Sequence, residues 1–273
     1  MRPLTFTQSS LQDYTDCKRR FQLRYLEHLA WPALDTEPAQ IHERHMQAGA
    51  RFHQLVQQHQ MGLPVERLTR LVTDAALSRW WDNYLAHAPS DLPPQRLTET
   101  ILVAPLAGHR LLAKYDLLAT ATGHAVIIDW KTSQPHAKRP QREHLLNRMQ
   151  TRVYRYLLVA AGAHLNHGTP FAPDQVEMIY WFAEFPDQPY HFPYSAAEYD
   201  ADRETLTRLI DEIQTLNPDQ YPLTSNEKHC VYCAYRSLCD RGTHAGDFDA
   251  WDAEVEEPPN LIIHLDQIAE IEF

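Results

Sequence analysis

The chain has 273 residues and a formal net charge of −11. It contains no run approaching the ~18 apolar residues of a membrane span, and the N-terminal MRPLTFTQSS lacks the apolar core of a secretory leader, so the expectation is a soluble, cytoplasmic protein. The negative total argues against an ordinary nucleic-acid binder, but nine acids and no Lys or Arg fall in residues 245–273, and without that segment the balance is −11 + 9 = −2.

In chain order, Leu11, Tyr14, Cys17, Phe21 and Tyr25 recur at steps of three and four and predict a helix over 9–29. Helices are also expected over 41–61 and 66–87, the second marked by Leu68, Leu71, Val72, Ala75 and Trp80. The period then changes. Segments 96–106, 109–120 and 125–131 are rich in β-branched and apolar residues and are separated by Gly108 and Gly123, which predicts a three-stranded meander. A helix over 143–161, strands at 175–183 and 189–194 and a helix over 195–216 follow, before Pro218 and Pro222. One domain over 1–244 with an acidic tail over 245–273 is the expected organisation.

The turn at Thr122-Gly123 fixes a register in which opposed residues have numbers summing to 245, so Asp116 faces Asp129 and Lys114 faces Lys131. Directly opposed Cβ atoms lie ~5 Å apart, and two carboxylates so placed call for a cation. A surface salt-bridge network is the alternative. The apolar runs Leu111-Leu112-Ala113 and Val126-Ile127-Ile128 count against it, because they lead the acids into a partly buried end where unpaired charge is costly. Oxygen ligands on two strands with a lysine alongside suit Mg²⁺ or Mn²⁺. Basic residues gather at Lys18, Arg19, Arg20 and Arg24, and again at Lys131, Lys138, Arg139, Arg142, Arg148, Arg152 and Arg155 with Glu143 as the lone acid. Such patches suit phosphate contacts, although solvated helix faces look the same.

Asp116 followed by Asp129-Trp130-Lys131 resembles the D…(D/E)xK signature of the PD-(D/E)XK nuclease superfamily, in particular its RecB-like branch. His53 in GARFHQLV, Gln150 and Tyr154 in QTRVYRYLL, and Glu99 in LTETILV occur in the order that branch shows. The resemblance implies an α/β, restriction-endonuclease-like core with a central mixed sheet flanked by helices. It further implies that His53, Asp116, Asp129 and the Trp130 carbonyl hold one or two divalent ions and that Lys131 orients water or stabilises the transition state. Gln150 and Tyr154 would position the strand or the lysine, with Glu99 as an accessory acid. Lys18, Arg19, Lys138, Arg139, Arg142, Arg148 and Arg152 would contact DNA, and Trp130, Tyr154 and Tyr156 are candidates for base stacking.

Four cysteines, Cys17, Cys230, Cys233 and Cys239, form a poor disulfide framework and a good metal-thiolate one, zinc or iron–sulfur by spacing alone. The reach from Cys17 in CKRRFQLRY to the HCVYCAYRSLC cluster is similar to the iron–sulfur staple of AddB-type and CRISPR-associated RecB-like nucleases, which implies a 4Fe–4S cluster tying the two ends of the domain. Two departures stand out. Lys114 occupies a place where glycine is common in the branch, and no GxxxxGK[ST] loop occurs, so any helicase motor, or a CRISPR adaptation subunit, would be a separate partner. The implied activity is metal-dependent DNA cleavage, as an exonuclease on single strands or DNA ends, in repair, recombination or CRISPR adaptation. The competing reading is a non-catalytic scaffold that binds DNA ends or a partner. A zinc-stabilised interaction protein is the third. The tail could serve as a flap over the basic groove, a docking peptide or an extra strand.

Overall fold

A computed structural model describes residues 4–30, 37–72, 74–133 and 138–242; the acidic tail lies outside the described residues. Strand β1 (Thr5–Thr7) leads into helix α1 (Gln8–Asp16), capped by Thr7, whose hydroxyl accepts from the Ser10 amide while the Ser10 hydroxyl is reached by the Thr7 amide. Cys17 is extended and interrupts the helical run, so the helix expected over 9–29 is α1, then α2 (Lys18–Phe21), then one π-helical turn at Gln22–Leu26. Helix α3 (Glu37–Gln60) follows. The single helix expected over 66–87 is two, α4 (Val65–Thr69) and α5 (Ala75–His87), because Asp74 caps a fresh start by accepting from the Leu77 amide at 2.8 Å.

The expected meander is present as β2 (Gln95–Leu106), β3 (His109–Ala121) and β4 (His124–Lys131). The helix expected over 143–161 breaks at Arg148, whose ψ of 147° separates α6 (Arg142–Asn147) from α7 (Met149–Ala161). Strands β5 (Val176–Phe182) and β6 (Tyr190–Pro193) and helix α8 (Ala196–Thr215) complete the order, matching the remaining expectations to within a residue or two.

The six strands form one mixed sheet in the order β1-β3-β4-β5-β6, with β2 on the other side of β3. Pairing of β1 with β3 and of β4 with β5 is parallel; the rest is antiparallel. The central strands are buried on both faces. In β4, Ala125 and Ile127 enter a core with α1, α7 and α8, through Leu11, Tyr14, Leu157, Leu158 and Ile210. Val126, Ile128 and Trp130 enter a second core with α3 and α5, through Phe52, Val56, Trp80, Trp81 and Tyr84. Two-sided burial is why the strand reads as a continuous apolar run rather than an alternating one.

One edge of β3 is shared. Its first part pairs with β1 at Arg110–Leu112 and its last part with β4 at Leu117–Ala121, which leaves residues 113–116 facing a gap between β1 and β4. At the same place the alternation slips. Leu111, Ala113 and Tyr115 belong to the α7-side core, whereas Leu117 and Ala119 belong to the α3-side core. On β2 the residue opposite Asp116 in register is Glu99, which is left-handed at φ 53° and drops out of the ladder between the pairs Thr98–Leu117 and Thr100–Tyr115. A non-glycine residue there costs ~1–3 kcal/mol, so the kink is held by its surroundings.

Candidate active site

The gap collects the acid pair. Leu117 pairs with Ile128, the register summing to 245, and the ladder ends there, just before Asp116 and Asp129. Beyond that point β4 stays with β5, pairing Asp129 with Tyr180 and Lys131 with Phe182, while β3 stays with β2. The two strands part, and their acids border the opening.

Asp116 is 8 % exposed; its Oδ2 accepts the Trp130 backbone N–H at 2.9 Å and its Oδ1 lies 3.3 Å from His53 Nδ1. Burial pushes its pKa up, but the charge and hydrogen bond of His53, the Trp130 amide and Lys131 together outweigh it, so Asp116 sits below the usual carboxylate range. Asp129 is 1 % exposed and is held above that range, by burial first, partly countered by Lys131 and reinforced by the charge on Asp116. The two carboxyls are thus shifted in opposite directions.

Gln150 ties the lysine to the second acid: its Nε2 donates to Asp129 Oδ1 at 2.6 Å and its Oε1 accepts from Lys131 Nζ at 2.8 Å. Lys131 Nζ also approaches Asp129 Oδ2 to 2.9 Å and stands 5.3 Å from the centre of the Tyr180 ring. That contact with Oδ2 is an ion pair without hydrogen-bond alignment, and Oδ2 remains a buried oxygen with no donor. Tyr180, beneath the lysine, has its own pKa pushed up to about 12, mainly by burial. Tyr154 reaches into the gap from α7, donating to the Lys114 carbonyl at 2.7 Å, and receives the Gln8 amide at 3.3 Å.

His53 owes its place to Gly49. The two lie four residues apart, on one face of α3. A Cβ on Gly49 would lie 2.9 Å from Thr132 Oγ1, so only glycine lets α3 come this close to the end of β4.

Among the described residues no three His, Cys, Asp or Glu side chains converge as a single-ion site. His53 Nδ1 lies 3.3 Å from Asp116 Oδ1, and its charge also acts on Asp129. The residues nonetheless fit a hard cation: two carboxylates border one opening, and the Oδ2 of Asp129 lacks a donor. Mg²⁺ is commonly held by one or two carboxylates with waters in the other positions.

Lys114 does not face Lys131; it forms an ion pair with Glu99 on β2, because β3 and β4 have already parted. Trp130, Tyr154 and Tyr156 are 3 %, 0 % and 5 % exposed, which removes them as base-stacking platforms. Trp130 packs instead edge-on against Tyr84 and Trp181.

The basic patches are reduced. Lys18 pairs with Glu212, Arg19 with Gln22 at 2.6 Å and Glu27 at 3.6 Å, Arg20 with Asp13 and Asp16, and Arg24 with Asp13. Arg152 is bound to the buried Asp202 at 2.7 Å, and Arg155 is itself buried against Glu198 and Asp202. These arginines hold the fold together. Lys138 is exposed, Arg139 stacks 3.5 Å from the Tyr190 ring centre, Arg142 lies over Phe192, and Arg148 acts on Tyr180 near the lysine.

Cys17, Cys230, Cys233 and Cys239 line one pocket, with Arg20, His229, Arg236 and Arg241. None is in a disulfide. Burial, with the neighbouring thiols adding to it, pushes Cys230, Cys233 and Cys239 up. Two further bonds join the two ends here, the Arg19 main-chain N–H donating to the Pro222 carbonyl at 3.3 Å and the Arg20 guanidinium Nη1 to the His229 carbonyl at 3.3 Å.

A mixed sheet with helices on both faces parts between β3 and β4 to leave Asp116 on one side and Asp129-Trp130-Lys131, tied by Gln150, on the other. A family model of the PD-(D/E)XK nuclease superfamily matches residues 5–240, and the chain belongs to that superfamily. Among curated proteins nothing matches. Among solved structures, the protein SSO0001 aligns at 16 % identity over 88 % of this chain and 87 % of its own, with a TM-score of 0.43. A candidate exonuclease from Eubacterium rectale aligns at 8 % identity over 81 % and 84 %, with a TM-score of 0.47. Alignments this loose add nothing to the family assignment.

Sequence reasoning missed Tyr180, Gln8 and Gln12. Tyr180 lies beside Asp129 only because β5 pairs in parallel with β4, a neighbour relation that no local pattern encodes.

Proposed function

We propose that the protein is a divalent-metal-dependent deoxyribonuclease that acts as an exonuclease on single-stranded DNA or DNA ends, in repair, recombination or CRISPR adaptation. The observation that carries the reading is the split acid pair with Lys131 locked beside it by Gln150. Asp116, Asp129 and the Trp130 carbonyl would hold Mg²⁺ or Mn²⁺, which supplies Lewis acidity at the phosphate and a water of lowered pKa. Asp116, whose pKa is lowered, and Asp129, whose pKa burial raises against the pull of Lys131, would both offer carboxylate oxygens to the cation. The ammonium of Lys131, fixed by Gln150, orients the attacking water and offsets charge on the phosphorane-like transition state. Lys138, Arg139, Arg142 and Arg148, close in sequence to the acid strand, supply backbone phosphate contacts, which carry little sequence information.

The cysteine pocket is proposed to hold a 4Fe–4S cluster. Four thiols in one pocket, none of them in a disulfide, support it.

The test is cleavage of end-labelled single-stranded and duplex DNA by anaerobically purified protein with Mg²⁺ or Mn²⁺, beside Asp116→Ala and Lys131→Ala. Metal-dependent cutting lost in both variants is expected. A folded, cluster-loaded protein that cuts nothing favours the scaffold reading.

A further inference from the structure

Helix α7 carries Gln150 in its first turn, and that turn has no cap of its own. Its N-cap residue, Arg148, makes no side-chain capping bond, and the first main-chain bond of the helix, from Arg152 N–H to the Arg148 carbonyl, is long at 3.3 Å. The first amides of any helix lack intrahelical acceptors and must find them elsewhere. Here the Met149 N–H donates to Gln12 Oε1 at 3.1 Å, a partner 137 residues away on α1.

Gln12 is itself fixed. Its Nε2 donates to Asp16 Oδ1 at 2.9 Å, so the amide cannot flip without setting an NH₂ against the Met149 N–H and its carbonyl against a carboxylate. Asp16 is held in turn by Arg20 Nη2 at 3.0 Å. One turn back on α1, Gln8 donates to the Tyr154 hydroxyl. Two glutamines of one helix thus grip two turns of α7, and Gln150 lies one residue beyond the first grip.

We propose that Gln12 is a positioning residue for the nuclease site. By capping α7 it holds Gln150 at the depth where its amide spans Asp129 and Lys131. Loss of the cap frays the first turn and loosens the Gln150 amide where it spans Asp129 and Lys131. The inference rests on the nuclease reading above, but its structural half does not.

The experiment compares wild type, Gln12→Ala and the double variant Gln12→Glu with Asp16→Asn. In the double variant the carboxylate introduced at position 12 accepts from the Met149 N–H and from the side-chain amide introduced at position 16, so both bonds persist with donor and acceptor exchanged between the two positions. Arg20 keeps Asp13 as its partner. Three quantities are read: amide hydrogen exchange at Met149 and Gln150, the Gln150 side-chain amide resonances, and kcat and KM for DNA with Mn²⁺. In Gln12→Ala exchange at both amides should accelerate at least tenfold, the Gln150 resonances should move, and kcat should fall about tenfold with KM within twofold. The double variant should restore all three. Unchanged exchange overturns the cap. Accelerated exchange with unmoved Gln150 resonances or unchanged kcat overturns the positioning role, as does a kcat loss that the double variant leaves in place. If wild type cuts nothing, the nuclease reading fails, and the exchange rates and Gln150 resonances alone decide whether Gln12 places Gln150.

Discussion

Trp130 donates its main-chain N–H to Asp116 Oδ2 at 2.9 Å, across the point where β3 and β4 stop pairing. The carboxylate does what a carbonyl would do in a continued ladder. The acid is therefore part of the sheet as well as part of the site, and substitutions there should separate the two roles.

Asp116→Ala removes the acceptor and leaves a buried N–H without a partner, a loss of ~1–3 kcal/mol in urea unfolding. Asp116→Asn keeps an oxygen acceptor and should lose less than half of that. Both should lose metal-dependent cleavage by at least 100-fold. Equal stability losses in the two variants would show that the main-chain bond contributes nothing.

Asp129 gives a pH signature in the metal-free protein. Its folded pKa is raised above the ordinary ~3.9, so ionising it opposes folding. That penalty is absent below the unfolded pKa, grows as pH rises through the folded value and is constant above it. Asp129→Asn should accordingly be more stable than wild type at neutral pH, the gain vanishing in acid. Asp116 has the opposite sign: its depressed pKa stabilises the fold above the unfolded value, and that contribution is lost as pH falls through the folded one. Mn²⁺ affinity of wild type should weaken as pH falls through the raised value of Asp129. Pairwise urea denaturation from pH 3 to 8, with Mn²⁺ titrations at each pH, checks both signs.

Lys131→Met should reduce cleavage by about 100- to 1,000-fold, the range for removing one preorganised charge-stabilising group. It also removes the counter-charge that holds Asp129 down, so the carboxyl should become a stronger competitor for protons and Mn²⁺ affinity should shift to higher pH. Single-turnover kinetics and Mn²⁺ titration separate the two effects. An unchanged pH dependence of metal binding would contradict the ion pair.

Purified anaerobically, the protein should carry iron and acid-labile sulfide, both lost in Cys17→Ser. Cluster loading should release protons, because Cys230, Cys233 and Cys239 are held protonated by burial. Chelation should lower Tm. Stoichiometric zinc without iron would replace the cluster with the simpler ion.

Arg155→Leu tests the interior away from the site. Arg155 and Asp202 are each 2 % exposed, and Tyr194 donates to the same carboxylate at 3.0 Å. Breaking a buried pair costs ~3–5 kcal/mol, and with Arg152 still bound to Asp202 the lower end is expected by urea unfolding, without loss of cleavage by the folded fraction.

Much of this was legible in the chain. Thr122-Gly123 set a hairpin whose register carried through to Leu117 and Ile128, and the meander followed from changes of period. The helix breaks were harder. Cys17, Arg148 and the stretch before Asp74 interrupt runs whose apolar spacing continues unbroken, because the spacing records which face is buried and not whether the backbone pauses. The three-residue strand β1 is too short to show a period. Pairing beyond Asp116 failed for a different reason: β3 follows β2 and β4 follows β5, and the choice between partners is made by the whole sheet. The charge patches failed similarly, Lys18 meeting Glu212 and Arg152 meeting Asp202 from helix α8.

The shared edge of β3 also orders events in time. Thr5 pairs with Arg110, a closure of 105 residues, and Cys17 reaches its pocket only when residues 230–239 have been made. Chain closures of that length are slow, since entropy is lost before any contact is gained. The gap that holds the acids has no walls until β1 and β4 both lie against β3, and no Gln150 until α7 is docked on α1. The acid pair is therefore not a property of the β3–β4 hairpin alone, and it is assembled only once β1 has closed on β3 and α7 has docked on α1.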